Sequence, residues 1–262
     1  MELGLRNRSC VITGGSRGIG RATALSLCAE GANVLLVGRS AEALDAVVAQ
    51  CGERAASIAL DVTESDAPER VLAACRERFG AVDVLVNNAG TSAVKPLEQL
   101  TDADWQDQWE LHVMAPMRLM RTLGPAMTQR GWGRIVNVCS SSGKRPSKTN
   151  MAYSVTKAAQ LSLSRAFADE LAGSGVLVNA VTPGPVASEL WTGEGGMADQ
   201  VARAQGKTRE QVLEDTAARI PIGRMGTVEE IAAVITFLCS GASSNVTGAA
   251  WSVDGGAVPV II

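Results

Sequence analysis

Seven short apolar runs punctuate the chain: Ser9 to Thr13, Asn33 to Val37, Ala56 to Leu60, Val82 to Val86, Arg134 to Val138, Val176 to Val181 and Ala250 to Val253. The first six are nearly continuous in apolar character, which predicts strands of a parallel sheet covered on both faces. The segments between them carry helical spacing instead, as at Ala22, Leu25 and Ala29 after the first run and Leu161, Ala168 and Leu171 before the sixth. Strand and helix in alternation imply right-handed crossovers, and no linker, repeat or low-complexity tract divides them. A single domain over residues 1–262 is therefore expected. Between Pro183-Gly184 and Gly223-Arg224 lies a stretch rich in Gly and charge, with helical character at Met197 to Gln205 and Arg209 to Arg219. Because it follows a strand end, residues at about 187–222 are expected to form a lid.

Composition narrows the setting. The 262 residues are 46% hydrophobic and 19% charged with a net charge of -3, which suits one large α/β domain and argues against a nucleic-acid surface. No apolar stretch approaches the length of a membrane span, and Met1-Glu2-Leu3-Gly4-Leu5-Arg6 lacks a signal-peptide core, so no membrane partner and a cytoplasmic location are expected. Cys10, Cys28, Cys51, Cys75, Cys139 and Cys239 are scattered without a C-x-x-C pair, and there is one histidine, so reduced, mostly buried thiols and no metal site are expected.

The first run passes through Thr13-Gly14-Gly15-Ser16-Arg17-Gly18-Ile19-Gly20 into a helical segment. Glycines there permit a tight turn and a close backbone approach, while the helix start offers free N–H groups to a pyrophosphate. A Gly-rich turn alone is weak evidence, but this one stands at the strand-to-helix junction that the mechanism requires. About twenty residues later, an NAD site places a carboxylate on the ribose 2'-hydroxyl. This chain has Gly38-Arg39-Ser40 there. Arg39 and Arg17 favour a 2'-phosphate and hence NADP(H), with NAD(H) as the other option and solvated loop arginines as the bland alternative. Asp61 ends the third run and, with Val62 beside it, is placed at the adenine edge.

Tyr153 is the only tyrosine, and Lys157 follows it at i+4 where a helical segment begins. The spacing puts phenol and ammonium on one helix face, and a nearby cation is expected to lower the phenol pKa toward neutrality, as a general acid-base group needs. Such a pair is common by itself. Ser140, at the end of the fifth run, adds weight because strand ends are where α/β sites assemble.

Together these residues resemble the short-chain dehydrogenase/reductase family, in its 3-oxoacyl reductase-like branch, over nearly the whole length. The motifs are the Thr13 to Gly20 loop, Asn87-Asn88-Ala89-Gly90, Ser140, Tyr153-x-x-x-Lys157, Pro183-Gly184 and Val253-Asp254-Gly255-Gly256. The resemblance implies a doubly wound, Rossmann-like α/β domain with about seven parallel strands and helices on both faces. It also implies an NAD(P)-dependent interconversion of a carbonyl and a secondary alcohol in a small ketone or alcohol substrate. Tyr153 would be the general acid/base, Lys157 would hold the ribose, and Ser140 would orient the substrate oxygen. Asn88, Pro183, Gly184 and Val186 would lie along the cofactor. Family analogy suggests a homotetramer or homodimer.

One position departs from the family pattern. An asparagine that supports a proton-relay water is replaced by His112, which is either a substitute relay or a core residue packed beside Trp105 and Trp109. This departure is the one support for the alternative of a catalytically impaired nucleotide-binding sensor or scaffold. The cationic loop Gly143-Lys144-Arg145-Pro146-Ser147-Lys148 is expected either to meet an acidic substrate group or to be solvated. Trp191 and Met197 are expected either to cover a substrate or to pack the lid.

Overall fold

Alternate residues of each central strand enter opposite cores, as the near-continuous apolar runs require. The computed structural model describes residues 2–92 and 94–259. Its strands are β1 (Ser9–Thr13), β2 (Asn33–Gly38), β3 (Ala55–Ala59), β4 (Val84–Asn87), β5 (Gly133–Val138), β6 (Val176–Pro183) and β7 (Ala250–Val253). All pair in parallel, in the order β3-β2-β1-β4-β5-β6-β7. In register, Val11 lies between Leu35 of β2 and Leu85 of β4.

Cys10, Ile12, Val34, Leu36, Val84, Val86 and Val136 face one core, with α1 (Gly18–Ala29), α2 (Ala41–Cys51) and α10 (Val228–Leu238) packed on it. Val11, Leu35, Val37, Leu85 and Ile135 face the other, against α3 (Ala67–Phe79), α5 (Ala115–Thr128) and α6 (Met151–Leu171). Each such side chain, fully buried, contributes about 1.5 to 3 kcal/mol of transfer free energy. The outer strands differ from the expectation. Ala56 to Ile58 of β3 are only half-buried, and β7 alternates exposed and half-buried positions, because an outer strand lacks full cover.

Several strand limits also shift from those expected. Leu60 and Val82 are buried yet lie outside β3 and β4, since apolarity reports burial while the strand is defined by its paired backbone. The strand order reverses between β1 and β4, and the carboxyl ends of these two strands open a crevice at that switch point. After β6 come α7 (Glu189–Thr192), α8 (Met197–Gln205) and α9 (Arg209–Ala218), with a small core of Ala198, Ala202 and Val212 against which Trp191 packs. Among the described residues, no helix is long and apolar enough to cross a membrane.

Helix α4 (Asp102–Trp109) runs into α5 through a π turn, Glu110–Met114. Pro116 explains the widening: it has no N–H for the carbonyl four residues back, that of His112, and its ring crowds that carbonyl. The π turn also changes the helix phase. Trp109 is 40% exposed while His112 is fully buried, so the expected common face of Trp105, Trp109 and His112 does not form.

Candidate active site

The crevice leads into a cavity of about 760 Å³ along the carboxyl ends of the strands. At one end stands the loop between β1 and α1. Ser16, Arg17, Gly18 and Ile19 line the cavity with Gly14, whereas Gly20 lies behind them. A Cβ at Gly20 would stand 2.2 Å from the Gly14 carbonyl oxygen, so this glycine permits close packing of helix on loop and is not itself part of the wall. Gly14 has φ +65 and a Cβ there would meet the Ala89 backbone at 2.9 Å. Helix α1 begins without a side-chain cap or an acidic residue in its first turn, so its leading N–H groups stay available to an anion.

Thr13 pins this loop to the end of β4. Its hydroxyl oxygen accepts from the Asn88 and Ala89 backbone N–H groups, each at 3.0 Å. Asn88 Nδ2 donates to the carbonyls of Thr13 at 3.0 Å and Gly14 at 3.1 Å. Asn88 therefore lines the cavity as a strut of the glycine loop. Arg39, Asp61 and Val62 line the same end. Arg17 and Arg39 are exposed and form no ion pair among the described residues. A cradle shaped by close-packed glycines, free helix N–H groups and two unpaired cations fits a phosphorylated dinucleotide.

At the other end, Ser140, Tyr153 and Lys157 share the wall with Pro183, Gly184 and Val186. Ser140 Oγ accepts from the Ser142 backbone N–H at 3.1 Å, which fixes the hydroxyl at the turn after β5. Lys157 is buried and donates to the Val138 carbonyl at 2.9 Å and to Gln160 Oε1 at 2.8 Å. Its Nζ lies 5.7 Å from the Tyr153 ring centre. Burial pushes the lysine down to about 8 and the tyrosine up to about 12, with the Ser140 hydroxyl working the other way on the phenol. This corrects the expectation that Lys157 draws the phenol toward neutrality. In the protein alone, the ammonium is turned onto a carbonyl and a carboxamide, and desolvation governs Tyr153.

His112 lies outside the cavity lining and is wired to protein on both sides. The Thr91 backbone N–H donates to Nε2 at 3.3 Å, so the neutral ring carries its proton on Nδ1, which faces Thr156 Oγ1 at 3.1 Å. The Thr156 hydroxyl in turn donates to the Tyr153 carbonyl at 2.9 Å. The ring packs edge-on against Tyr153, with centres 5.3 Å apart. Both ring nitrogens are thus engaged by protein groups, the arrangement of a packed residue. The histidine is a strut between the loop after β4 and the backbone of the Tyr153 turn.

Burial, aided by the Lys157 charge, holds the His112 pKa well below its ordinary value. Folded His112 stays unprotonated while the unfolded residue takes a proton below pH about 6.5. Unfolding thus consumes a proton, and acid should destabilise the wild type by up to about 1.4 kcal/mol per pH unit below that point. In His112→Asn this one-proton slope should vanish, as urea titrations between pH 5 and 8 will show. Equal slopes in the two proteins would mean that His112 titrates freely.

The cationic loop does not reach the site. Lys144 Nζ donates to the Ala250 carbonyl at 2.8 Å and to Ser252 Oγ at 3.0 Å, and Arg145 and Lys148 are exposed and outside the lining. Trp191 and Met197 do line the cavity, and Trp191 also packs on the small lid core. Ser188, which the sequence reading passed over, joins them. It is the N-cap position of α7, two residues beyond Val186, and a hydroxyl at a helix start just after Pro-Gly was the available signal. Ser92 and Asn150 were also missed. Both are buried, and Asn150 Nδ2 donates to Ser92 Oγ at 3.2 Å in the wall beside Tyr153. Among the described residues, no group of three or more His, Cys, Asp and Glu is placed to hold a metal. The six cysteines are free thiols, four of them buried.

Known proteins resemble this chain in sequence and fold. The short chain dehydrogenase family model matches residues 8–197. Sorbitol dehydrogenase of Cereibacter sphaeroides is 34% identical over 96% of this chain and 98% of its own. The 3-oxoacyl-[acyl-carrier-protein] reductase of Thermotoga maritima is 34% identical over 97% of this chain and 99% of its own. L-Sorbose reductase of Gluconobacter frateurii, solved with NADPH and L-sorbose, superposes with a TM-score of 0.93 at 34% identity over 100% of both chains.

Proposed function

The chain belongs to the short-chain dehydrogenase family of NAD(P)-dependent oxidoreductases acting on CH–OH groups, and on that premise we propose that it is an NADP(H)-preferring enzyme interconverting a small neutral ketose and its polyol. The observation that carries this reading is a single cavity with Arg17 and Arg39 at one end and Ser140, Tyr153 and Lys157 at the other. When bound, the nicotinamide supplies or accepts the hydride. The chain's residues orient the partners and manage the proton. The Tyr153 phenol, kept protonated by burial, gives its proton to the carbonyl oxygen in reduction and recovers it in oxidation. The Ser140 hydroxyl fixes that oxygen, and Lys157 directs its remaining N–H toward the cofactor ribose. Residues at about 187–222 act as the lid, with Trp191 and Met197 excluding water.

Charge and polarity of the wall support the neutral substrate. The cations of the lining are Arg17, Arg39 and Lys157, all assigned to the cofactor, while Ser92, Ser142 and Asn150 offer hydroxyl and amide groups beside Tyr153. Nothing there pairs with a carboxylate. NADPH oxidation should therefore show kcat/KM at least about tenfold higher for neutral ketoses than for keto-aldonates, whose unpaired buried charge costs more than 1.4 kcal/mol, roughly a factor of ten, or than for 3-oxoacyl thioesters, whose apolar chain would leave the polar wall groups unpaired at a cost of about 1 to 3 kcal/mol. A preference for either of the latter would overturn the substrate class. Assembly as a homotetramer or homodimer is proposed through the faces of α4 and α6, where Trp109 and Val155 are 40% and 44% exposed.

A further inference from the structure

The Lys157 ammonium is a buried charge without a counter-ion. Its side chain is 3% exposed, and among the described residues no carboxylate pairs with it. The titratable groups facing it are Tyr153 from its own helix, His112 from the π turn and Cys139 from the end of β5. All three are neutral at pH 7: burial raises the phenol and the thiol, each to about 12, and suppresses protonation of the imidazole. The charge is therefore held by two dipoles, the Val138 carbonyl and the Gln160 carboxamide. A main-chain carbonyl in a central strand is fixed by the sheet. The carboxamide is the contribution of one side chain.

Gln160 follows Lys157 by three residues on α6, which brings the two onto one face of the helix. It is 1% exposed, a position that is unfavourable for a glutamine unless its polar atoms are engaged. Its Oε1 meets the ammonium at 2.8 Å. We infer that Gln160 is a positioning residue of the site, its carboxamide oxygen anchoring Lys157 so that the third N–H of the ammonium points into the cofactor cavity. The inference rests on the proposed role of Lys157 in holding the cofactor. Two consequences follow from the chemistry. An acceptor on the charged form favours that form, so Gln160 opposes the burial that pulls Lys157 down to about 8. Without it, the lysine should lose its proton at lower pH and the ammonium should lose its aim.

The test is the pH dependence of NADPH binding, followed by nucleotide fluorescence between pH 6 and 10, with the pH profile of turnover measured alongside. Gln160→Leu should move the alkaline loss of affinity down by about one pH unit and weaken binding about tenfold at pH 8, the change expected for removing one hydrogen bond to a charged group. Gln160→Glu restores an acceptor of the same length and adds a negative charge, so its alkaline limb should lie above that of the wild type. A purely structural glutamine would lower the melting temperature and leave both limbs where they are, and that result overturns the inference. Should Gln160→Leu fail to fold, the Gln160→Glu limb decides alone: unshifted or shifted down, it refutes the anchoring role. Lys157→Met separates the layers. Its alkaline limb should be absent; a limb identical to the wild type would overturn the role of Lys157 itself and the inference with it. Loss of the limb in Lys157→Met, with unmoved limbs in the Gln160 variants, overturns the inference alone.

Discussion

Tyr153→Phe is expected to lower kcat for ketose reduction by at least about 10²-fold while NADPH affinity changes less than about threefold. The substitution removes one oxygen and keeps the ring that packs edge-on against His112, so the fold around α6 should persist. The lost oxygen is the proton source. A raised phenol pKa means that Tyr153 is protonated throughout the working range, and its own titration near 12 should not appear in the turnover profile below pH 10. The alkaline limb instead belongs to Lys157, which burial has brought to about 8. Steady-state kinetics with fluorescence titration of the cofactor will separate the two effects. Retention of more than about a tenth of wild-type turnover would remove Tyr153 from the acid-base role.

Cofactor choice should respond to Arg39 by a comparable factor. The guanidinium stands at the cavity end and forms no ion pair among the described residues, and Gly38 offers no carboxylate to a ribose hydroxyl. A charged hydrogen bond to a 2'-phosphate contributes about 1.5 to 3 kcal/mol, so Arg39→Ala should weaken NADPH binding by roughly 10- to 150-fold and leave NADH nearly unchanged. Arg17, on the glycine loop and without an ion pair among the described residues, should retain part of the preference. Isothermal titration of both nucleotides against both proteins measures this directly. Equal affinity of the wild type for NADPH and NADH would contradict the assignment.

The central sheet was readable because parallel strands buried on both faces need apolar residues at successive positions, as in Val34 to Val37 and Val84 to Val86. The glycine loop and the Tyr153, Lys157 pair were readable because their chemistry depends on short local spacing. What spacing does not encode is which atoms meet. The i+4 relation puts Lys157 near Tyr153, yet the ammonium is bonded to a strand carbonyl and to Gln160, and burial of the phenol raises its pKa where a lowering was expected. His112 shows the same limit. Its place in the chain was clear, whereas its two partners, Thr91 and Thr156, lie 21 and 44 residues away and belong to a loop and a different helix. Pro116, which the sequence reading did not use, shapes the π turn through a missing N–H whose effect on helix phase becomes visible only once Trp109 and His112 part company. The loop from Gly143 to Lys148 left two alternatives open because its charge is visible in sequence and its direction, with Lys144 onto β7 and Arg145 and Lys148 into solvent, is not.

The central claim is that this chain moves a hydride between NADPH and a neutral ketose with Tyr153 supplying the proton. Reaction of NADPH deuterated at the transferring C4 position with such a ketose, followed by mass spectrometry of the product, tests it most directly. The wild type should yield a polyol carrying one deuterium at the new carbinol carbon, and Tyr153→Phe should yield less than about one-hundredth as much in the same time. Deuterium that never reaches the carbinol carbon in the wild type, or that reaches it equally fast in the variant, would contradict the account.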